Sequence, residues 1–299
     1  MRYRIAFIAL VLITAGVNAQ SYSAWKRLRA EMTFGTGVTN FLGDLGGADQ
    51  IGTDFYKDVE LSASRPNAFI GGRYKLDPRQ AIMVGFSWGM LAGDDKTTNW
   101  PDRLDRRFKF RSNVIELGAR YEFYFVREKT GHRYKLKKIK GLKASATYPY
   151  LFLGVAGFYH NPYQIDASGK YHRIRPLNTE GQTLVATRKP FSPFGLAIPY
   201  GVGFRWAVDK RWMIGIEWGQ RKTFTDYMDG VSTTYFDNNT IKSEFGATAA
   251  YLADPNLGSD PHYAAGQQRG DPTDNDSYGF LFITASYKLK TTRGGGVRF

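Results

Sequence analysis

Four histidines, His132, His160, His172 and His262, are the only imidazoles in a chain of 299 residues without cysteine. Nucleophilic hydrolysis needs a histidine and a serine within hydrogen-bond reach, and a His-based metal site needs imidazoles three or four residues apart with a carboxylate nearby. None of the four has such a spacing. His160 stands near the end of an alternating segment, where a lipid hydrolase built on a barrel would hold its base, but Asn161 and Pro162 follow it and no serine is close in the pattern. Asp271, Asp274 and Asp276 offer carboxylate oxygens of the kind that bind hard cations. They lack the glycine turn and distant Glu of a dedicated calcium loop, so they read as a solvated acidic loop. Arg269-Gly270-Asp271 matches an adhesion tripeptide, a match too short to carry weight. The sequence therefore implies no catalytic residue, metal or cofactor.

A second set of charged residues has a different character. Glu31, Arg73, Glu116, Arg120, Glu122, Arg205 and Glu217 each sit within runs that alternate bulky apolar residues with glycine or charge. From Ile115 to Phe125 the odd positions are Ile, Leu, Ala, Tyr, Phe and Phe, and the even ones Glu, Gly, Arg, Glu and Tyr. Trp212, Ile214, Ile216 and Trp218 alternate with Met213, Gly215, Glu217 and Gly219; Leu196 to Trp206 repeats the pattern. Period-two patterning predicts strands, here eight, near 31–39, 67–76, 80–92, 109–126, 147–160, 194–208, 211–221 and 278–290.

The content of the two faces gives the pattern a direction. A wet sandwich surface is rich in Thr, Ser and Lys, whereas here the polar face is glycine with scattered Glu and Arg. That suits a membrane barrel, with bulky apolar side chains on lipid and small or charged ones in a narrow lumen. Tyr148, Tyr150, Trp206, Trp212, Trp218, Tyr278 and Tyr287 fall near strand ends, where aromatic girdles lie. Connections alternate short (Asp77-Pro78-Arg79, Asp209-Lys210) and long, as outer-membrane barrels require. The expected fold is all-β: an eight-stranded antiparallel up-and-down transmembrane β-barrel with long extracellular loops. Eight strands leave room only for side chains, so the seven charges should pair and close the pore. Residues 240–253 have the spacing of a short helix over the mouth.

Arg2 and Arg4 precede an apolar run, Ile5 to Val17, that is shorter than the roughly 20 residues of a helical span, and Val17-Asn18-Ala19 reads as a cleavage site. Residues 1–19 are thus a signal peptide and 20–299 the barrel domain, placed in a bacterial outer membrane. Export argues against nucleic acid as the partner of the net charge of +14. That charge is uneven. The connection 127–146 carries Arg127, Lys129, Arg133, Lys135, Lys137, Lys138, Lys140 and Lys143 against Glu128 alone, a net +7. Lys26, Arg27 and Arg29 fall on the same periplasmic rim, and Lys290, Arg293 and Arg298 follow the last strand. The loop after the seventh strand is acidic, net −7. A basic rim draws an acidic periplasmic protein or anionic headgroups, or serves only as a solvated charge run.

Three segments in order carry a resemblance: Phe41-Leu42-Gly43-Asp44-Leu45-Gly46-Gly47, Asp226 to Tyr235, and Arg269-Gly270-Asp271-Pro272 leading through Asn275-Asp276 into the last strand. Together they resemble the PorG-like outer-membrane barrels associated with the type IX secretion and gliding machinery. The resemblance implies a non-enzymatic protein of the outer-membrane lipid that contacts periplasmic ring proteins of that system. Gly43, Asp44, Asp229, Val231 and Tyr235 then shape loops, glycine through positive φ and Asp through turn bonds. A second functional reading is an OmpA-like surface barrel that stabilises the envelope or binds an external ligand through its acidic loops. A third, a lipid-modifying enzyme, rests on His160.

Overall fold

The computed structural model describes residues 24–43, 45, 64–95, 106–128, 147–256, 261–292 and 296–298. Eight long strands form one antiparallel meander: β1 (Ala30–Leu42), β2 (Arg65–Asp77), β3 (Gln80–Asp94), β4 (Lys109–Tyr124), β5 (Thr147–Ile165), β7 (Phe194–Ala207), β8 (Trp212–Thr223) and β9 (Ser277–Thr291). Two short strands attach at the edges, β6 (Tyr171–Arg173) on β5 and β10 (Val297–Arg298) on β9. Each long strand pairs with its neighbour in sequence, and β1 pairs with β9 from Ala30↔Leu289 to Leu42↔Ser277. That last pairing closes the sheet, so no long strand is left with an open edge.

The short turns explain themselves chemically. Asp77 accepts the Arg79 N–H at 2.6 Å, and Asp209 accepts the Arg211 and Trp212 N–H groups at 2.6 Å each. Aspartate bonding the backbone two residues on is the usual Asx device for a tight reversal. These turns, the end of β4, the start of β5 and both ends of the strand series lie on one rim, and the strand ends that open into the longer connections lie on the other.

Alternation along the strands sets what faces out. Leu117, Leu153, Val155, Leu196 and Ile283 are each at least 60% exposed, and Phe34, Ile70, Val84, Phe86, Phe204 and Ile214 join them around the wall. Such a continuous apolar belt is solvated by hydrocarbon, not by water. Among the described residues no helix is long and apolar enough to cross a membrane; here the strands are the crossing element. At 12 to 19 residues they exceed the roughly 9–11 needed to cross, so their ends project beyond the belt.

Inside, the upper half of the barrel is an aromatic plug: Phe41, Phe110, Phe158, Tyr278, Phe280 and Phe282 pack with Leu91, Val114 and Met228. This corrects the expected division of faces. Tyr148, Tyr150 and Tyr278 are not girdle residues but buried lumen residues. β5 is apolar on both faces, with Leu151 and Leu153 outside and Phe152 and Phe158 inside, so residue type alone could not orient it. Trp212 and Tyr287 do face out near the short-turn rim, with rings 5.0 Å apart, and Trp206 donates to Thr147 beside them at 2.9 Å. The expected helix is two: α1 (Asn238–Phe245), capped by Asp237 accepting the Thr240 N–H, and α2 (Ala247–Ala253). Gly246, at φ +88°, breaks them.

Candidate functional site

Three regions concentrate charge: the lower lumen, the loop platform over the mouth, and the short-turn rim. In the lower lumen, inward positions of β1, β2, β4, β7 and β8 bring six of the seven expected residues into one buried network. Arg73 bonds Glu122 at 2.6 Å and Glu31 at 3.1 Å. Arg120 bridges Glu217 at 2.6 Å and Glu122 at 3.2 Å. Arg205 bonds Glu31 and takes the Tyr124 hydroxyl oxygen at 3.1 Å. The hydroxyls of Tyr124 and Tyr150 donate to Glu122 and Glu217. Glu116 stands apart, higher in the barrel, held by Arg221 at 3.2 Å and by the Tyr278 hydroxyl at 2.7 Å.

Four charged members of these clusters are not among the expected residues: Lys75, Arg221, Glu128 and Lys288. Lys75 meets Glu31 at 2.8 Å, and both Lys75 and Lys288 bond Glu128. Parity in β2, β8 and β9 carries the signal for Lys75, Arg221 and Lys288, which share faces with Arg73, Glu217 and Ser286. Nothing in the alternation identifies Glu128, which lies past the end of β4. The only carboxylate in the 127–146 sequence is therefore not on the surface; it is drawn into the base of the lumen. Burial alone would raise its pKa, but the Lys75 and Lys288 ammoniums prevail and hold it down at about 2.

Over the mouth, loop carboxylates are spent on backbone. Asp229 accepts the Leu45 N–H at 3.0 Å and the Val231 N–H at 2.8 Å, and Asp276 accepts the Met228 N–H at 2.8 Å. Val231 and Tyr235 are buried against the aromatic plug. Gly43 has no positive φ; it lies where a Cβ would come within 2.5 Å of the Phe41 ring, so close approach, not handedness, explains it. Asp44 lies outside the described residues. A fully buried pair, Arg269–Glu180 at 2.8 Å, joins the 224–276 loop to the 166–193 loop. Glu180 also accepts from Ser232, Thr233 and Tyr227, and Arg269 donates to the carbonyls of Leu252, Ala253 and Gly230. With its guanidinium buried, Arg269 cannot present an adhesion tripeptide. His160 is buried as well, its Nε2 3.1 Å from the Ser192 carbonyl oxygen. A cavity of about 640 Å3 opens between α1, α2 and the Asp166–Ser168 turn.

At the short-turn rim, Lys26, Arg27, Arg29 and Arg127 lie within the described residues, while Lys129, Arg133, Lys135, Lys137, Lys138, Lys140 and Lys143 lie outside them. Arg29 stacks over Tyr74 at 5.3 Å. Arg79, Lys210 and Lys290 add exposed cations, against Asp77 and Asp209, whose carboxylates hold the turns.

A family model described as a domain of unknown function, DUF6089, matches residues 6–252. The chain belongs to this family. The match takes in β1 to β8 and all but the end of α2, and β9, which closes the barrel, lies beyond it. No curated protein matches the sequence. Solved structures with a similar chain path include Ail, the attachment invasion locus protein of Yersinia pestis, in complex with the heparin analogue sucrose octasulfate (8% identity, 87% of this chain and 97% of that one, TM-score 0.38). Neisserial surface protein A is another (10%, 87% and 97%, TM-score 0.36), as is the outer membrane protein OprG from Pseudomonas aeruginosa (9%, 89% and 98%, TM-score 0.37).

Proposed function

We propose that this DUF6089 barrel sits in a bacterial outer membrane, with its short-turn rim in the periplasm, and acts there as a non-enzymatic docking component for an acidic periplasmic protein. The observation that carries the reading is the charge of that rim. Lys26, Arg27 and Arg29 before β1, Arg79 and Lys210 in the two tight turns, Arg127 after β4 and Lys290 at the end of β9 share that rim, while Glu31 and Glu128 are withdrawn into the lumen and paired there. A rim whose exposed cations outnumber its carboxylates, Asp77 and Asp209 in the turns, projects a positive field and speeds encounter with an acidic surface. The resemblance to PorG-like barrels makes ring proteins of a type IX-like secretion system the partner class.

The surface-barrel alternative is less well supported. Of the carboxylates in the 224–276 loop, Asp226, Asp229, Asp254 and Asp276 are buried, leaving fewer for an external ligand. The lipid-enzyme alternative needs a reachable imidazole, and His160 is enclosed.

The test is capture of periplasmic proteins by the full chain in detergent. Arg127, Lys129, Arg133, Lys135, Lys137, Lys138, Lys140 and Lys143 reversed to Glu should abolish capture, and wild-type capture should weaken as salt rises from about 0.15 M. Unchanged capture by the reversed chain at that ionic strength would sink the proposal.

A further inference from the structure

The long-loop rim carries a second cationic feature, this one facing out rather than down. On β4, β5 and β7 the apolar belt ends at Ile115, Tyr159 and Phe194, which are aligned across the sheet. Immediately above them the outward positions become polar: Asn113 opposite Asn161, then Arg111 opposite Tyr163, and Arg173 of β6 opposite Tyr163 on the other side. The Arg111 guanidinium lies 3.9 Å from the Tyr171 ring centroid, and Arg173 donates to the Tyr163 hydroxyl at 2.9 Å. Arg175 is fixed by donating to the Phe191 carbonyl at 2.9 Å. A depression of about 400 Å3 between Tyr159, Asn161, Arg173, Arg175 and Asn178 opens on this face.

Nearby carboxylates do not cancel the charge. Asp94 pairs with Lys109 at 2.8 Å, and Asp166 with His172 at 2.7 Å. Among the described residues, Arg111, Arg173 and Arg175 have no carboxylate partner. Arg173 and Arg175 line the depression, and Arg111 shares the Tyr163 ring with Arg173 at 6.0 and 5.8 Å, so three exposed guanidiniums held by aromatic and carbonyl contacts cluster at the edge of the hydrocarbon as an anion receptor. Guanidinium forks match phosphate oxygens in pairs. The depression exceeds the needs of a single phosphate, and its tyrosine and asparagines suit a sugar attached to one. Tyrosine at this level also favours a ligand that is itself embedded in the membrane.

We propose that Arg111, Arg173 and Arg175 bind the phosphate-bearing sugar headgroup of a glycolipid in the leaflet on the long-loop side. This rests on the membrane placement but not on the periplasmic docking role, since it concerns the opposite rim. The experiment uses the full chain in nanodiscs of neutral phosphatidylcholine doped with a phosphorylated lipid A or its dephosphorylated form. Lipid retained after detergent extraction is counted by native mass spectrometry. Wild type should retain the phosphorylated lipid, and the Arg111→Gln, Arg173→Gln, Arg175→Gln variant should bind it roughly tenfold or more weakly. Heat-modifiable gel mobility shows that both are folded. Equal retention by the two chains, or of the two lipids, overturns the site. Displacement of the lipid by millimolar inorganic phosphate overturns the assignment to a lipid headgroup. A wild-type chain that fails to enter neutral nanodiscs defeats the membrane placement itself, and this site with it.

Discussion

Single residues decide how the loop platform and the lumen base hold together. The Arg269–Glu180 pair is completely buried, and each partner has further hydrogen bonds. Taking one ion away leaves the other charged and desolvated, a cost of about 3–5 kcal/mol. Arg269→Ala should therefore release the loops over the mouth while leaving the barrel closed. Trypsin added to the variant in micelles should cut within 166–193 or 224–276 far faster than in wild type, with the heat-modifiable gel shift retained. Loops as protected as in wild type would show the pair to be dispensable. Glu128 gives a prediction in pH. Burial alone would raise its pKa, but the Lys75 and Lys288 ammoniums beside it lower it from 4.5 to about 2. A depressed carboxylate contributes stability above its unfolded pKa and loses it as pH falls through the folded one. The start of the 125–146 connection should accordingly detach from the lumen as pH drops from about 4.5 towards 2. Pepsin should begin to cut between Phe125 and Thr147 in that window. Glu128→Gln should be cut there already at the upper end, and identical profiles for the two chains would contradict the latch.

At the scale of elements, the seam between β1 and β9 is the pairing with the largest sequence separation, and one glycine makes it possible. A Cβ on Gly37 would stand 2.0 Å from the Leu281 carbonyl oxygen, an atom of the partner backbone that cannot swing away. Gly72, on the outer face of β2, has nothing within 4 Å. Gly37→Ala should force the two strands apart, costing roughly 1–3 kcal/mol and lowering refolding yield into detergent. Gly72→Ala should refold like wild type. Equal yields would mean that the seam tolerates a side chain. The strands themselves were legible because alternation is a local property: all eight long ones were expected, with ends off by a few residues. β6 and β10, of three and two residues, are too short to show a period. The split of α1 from α2 turns on Gly246, whose positive φ no apolar spacing records.

For the whole molecule, closure and the outward apolar belt were readable from residue types, whereas the filling of the lumen was readable only in part. Charges on a glycine-rich face point inward unambiguously, but an aromatic ring is equally at home against lipid or inside a narrow barrel. Hence Phe110, Phe152, Phe158, Phe280 and Phe282 were not foreseen as interior. Their position has a functional consequence, because the pore is blocked twice in series. The aromatic plug fills the half nearest the long loops, and the ion network anchored on Glu31, Arg73, Arg120 and Arg205 fills the other. An ion crossing the plug would meet a constriction packed with aromatic rings, and one crossing the network would have to displace charges already paired, so either block alone suffices. Phe110→Ala with Phe280→Ala thins only the first block. The prediction is that neither wild type nor this double variant shows stepwise conductance in planar bilayers, although both insert and shift on heating. Discrete current steps from the wild-type chain would refute the double block and turn the lower-lumen charges into a conduction path. Steps from the double variant alone would show that the ion network is permeable and that the aromatic plug is the only seal.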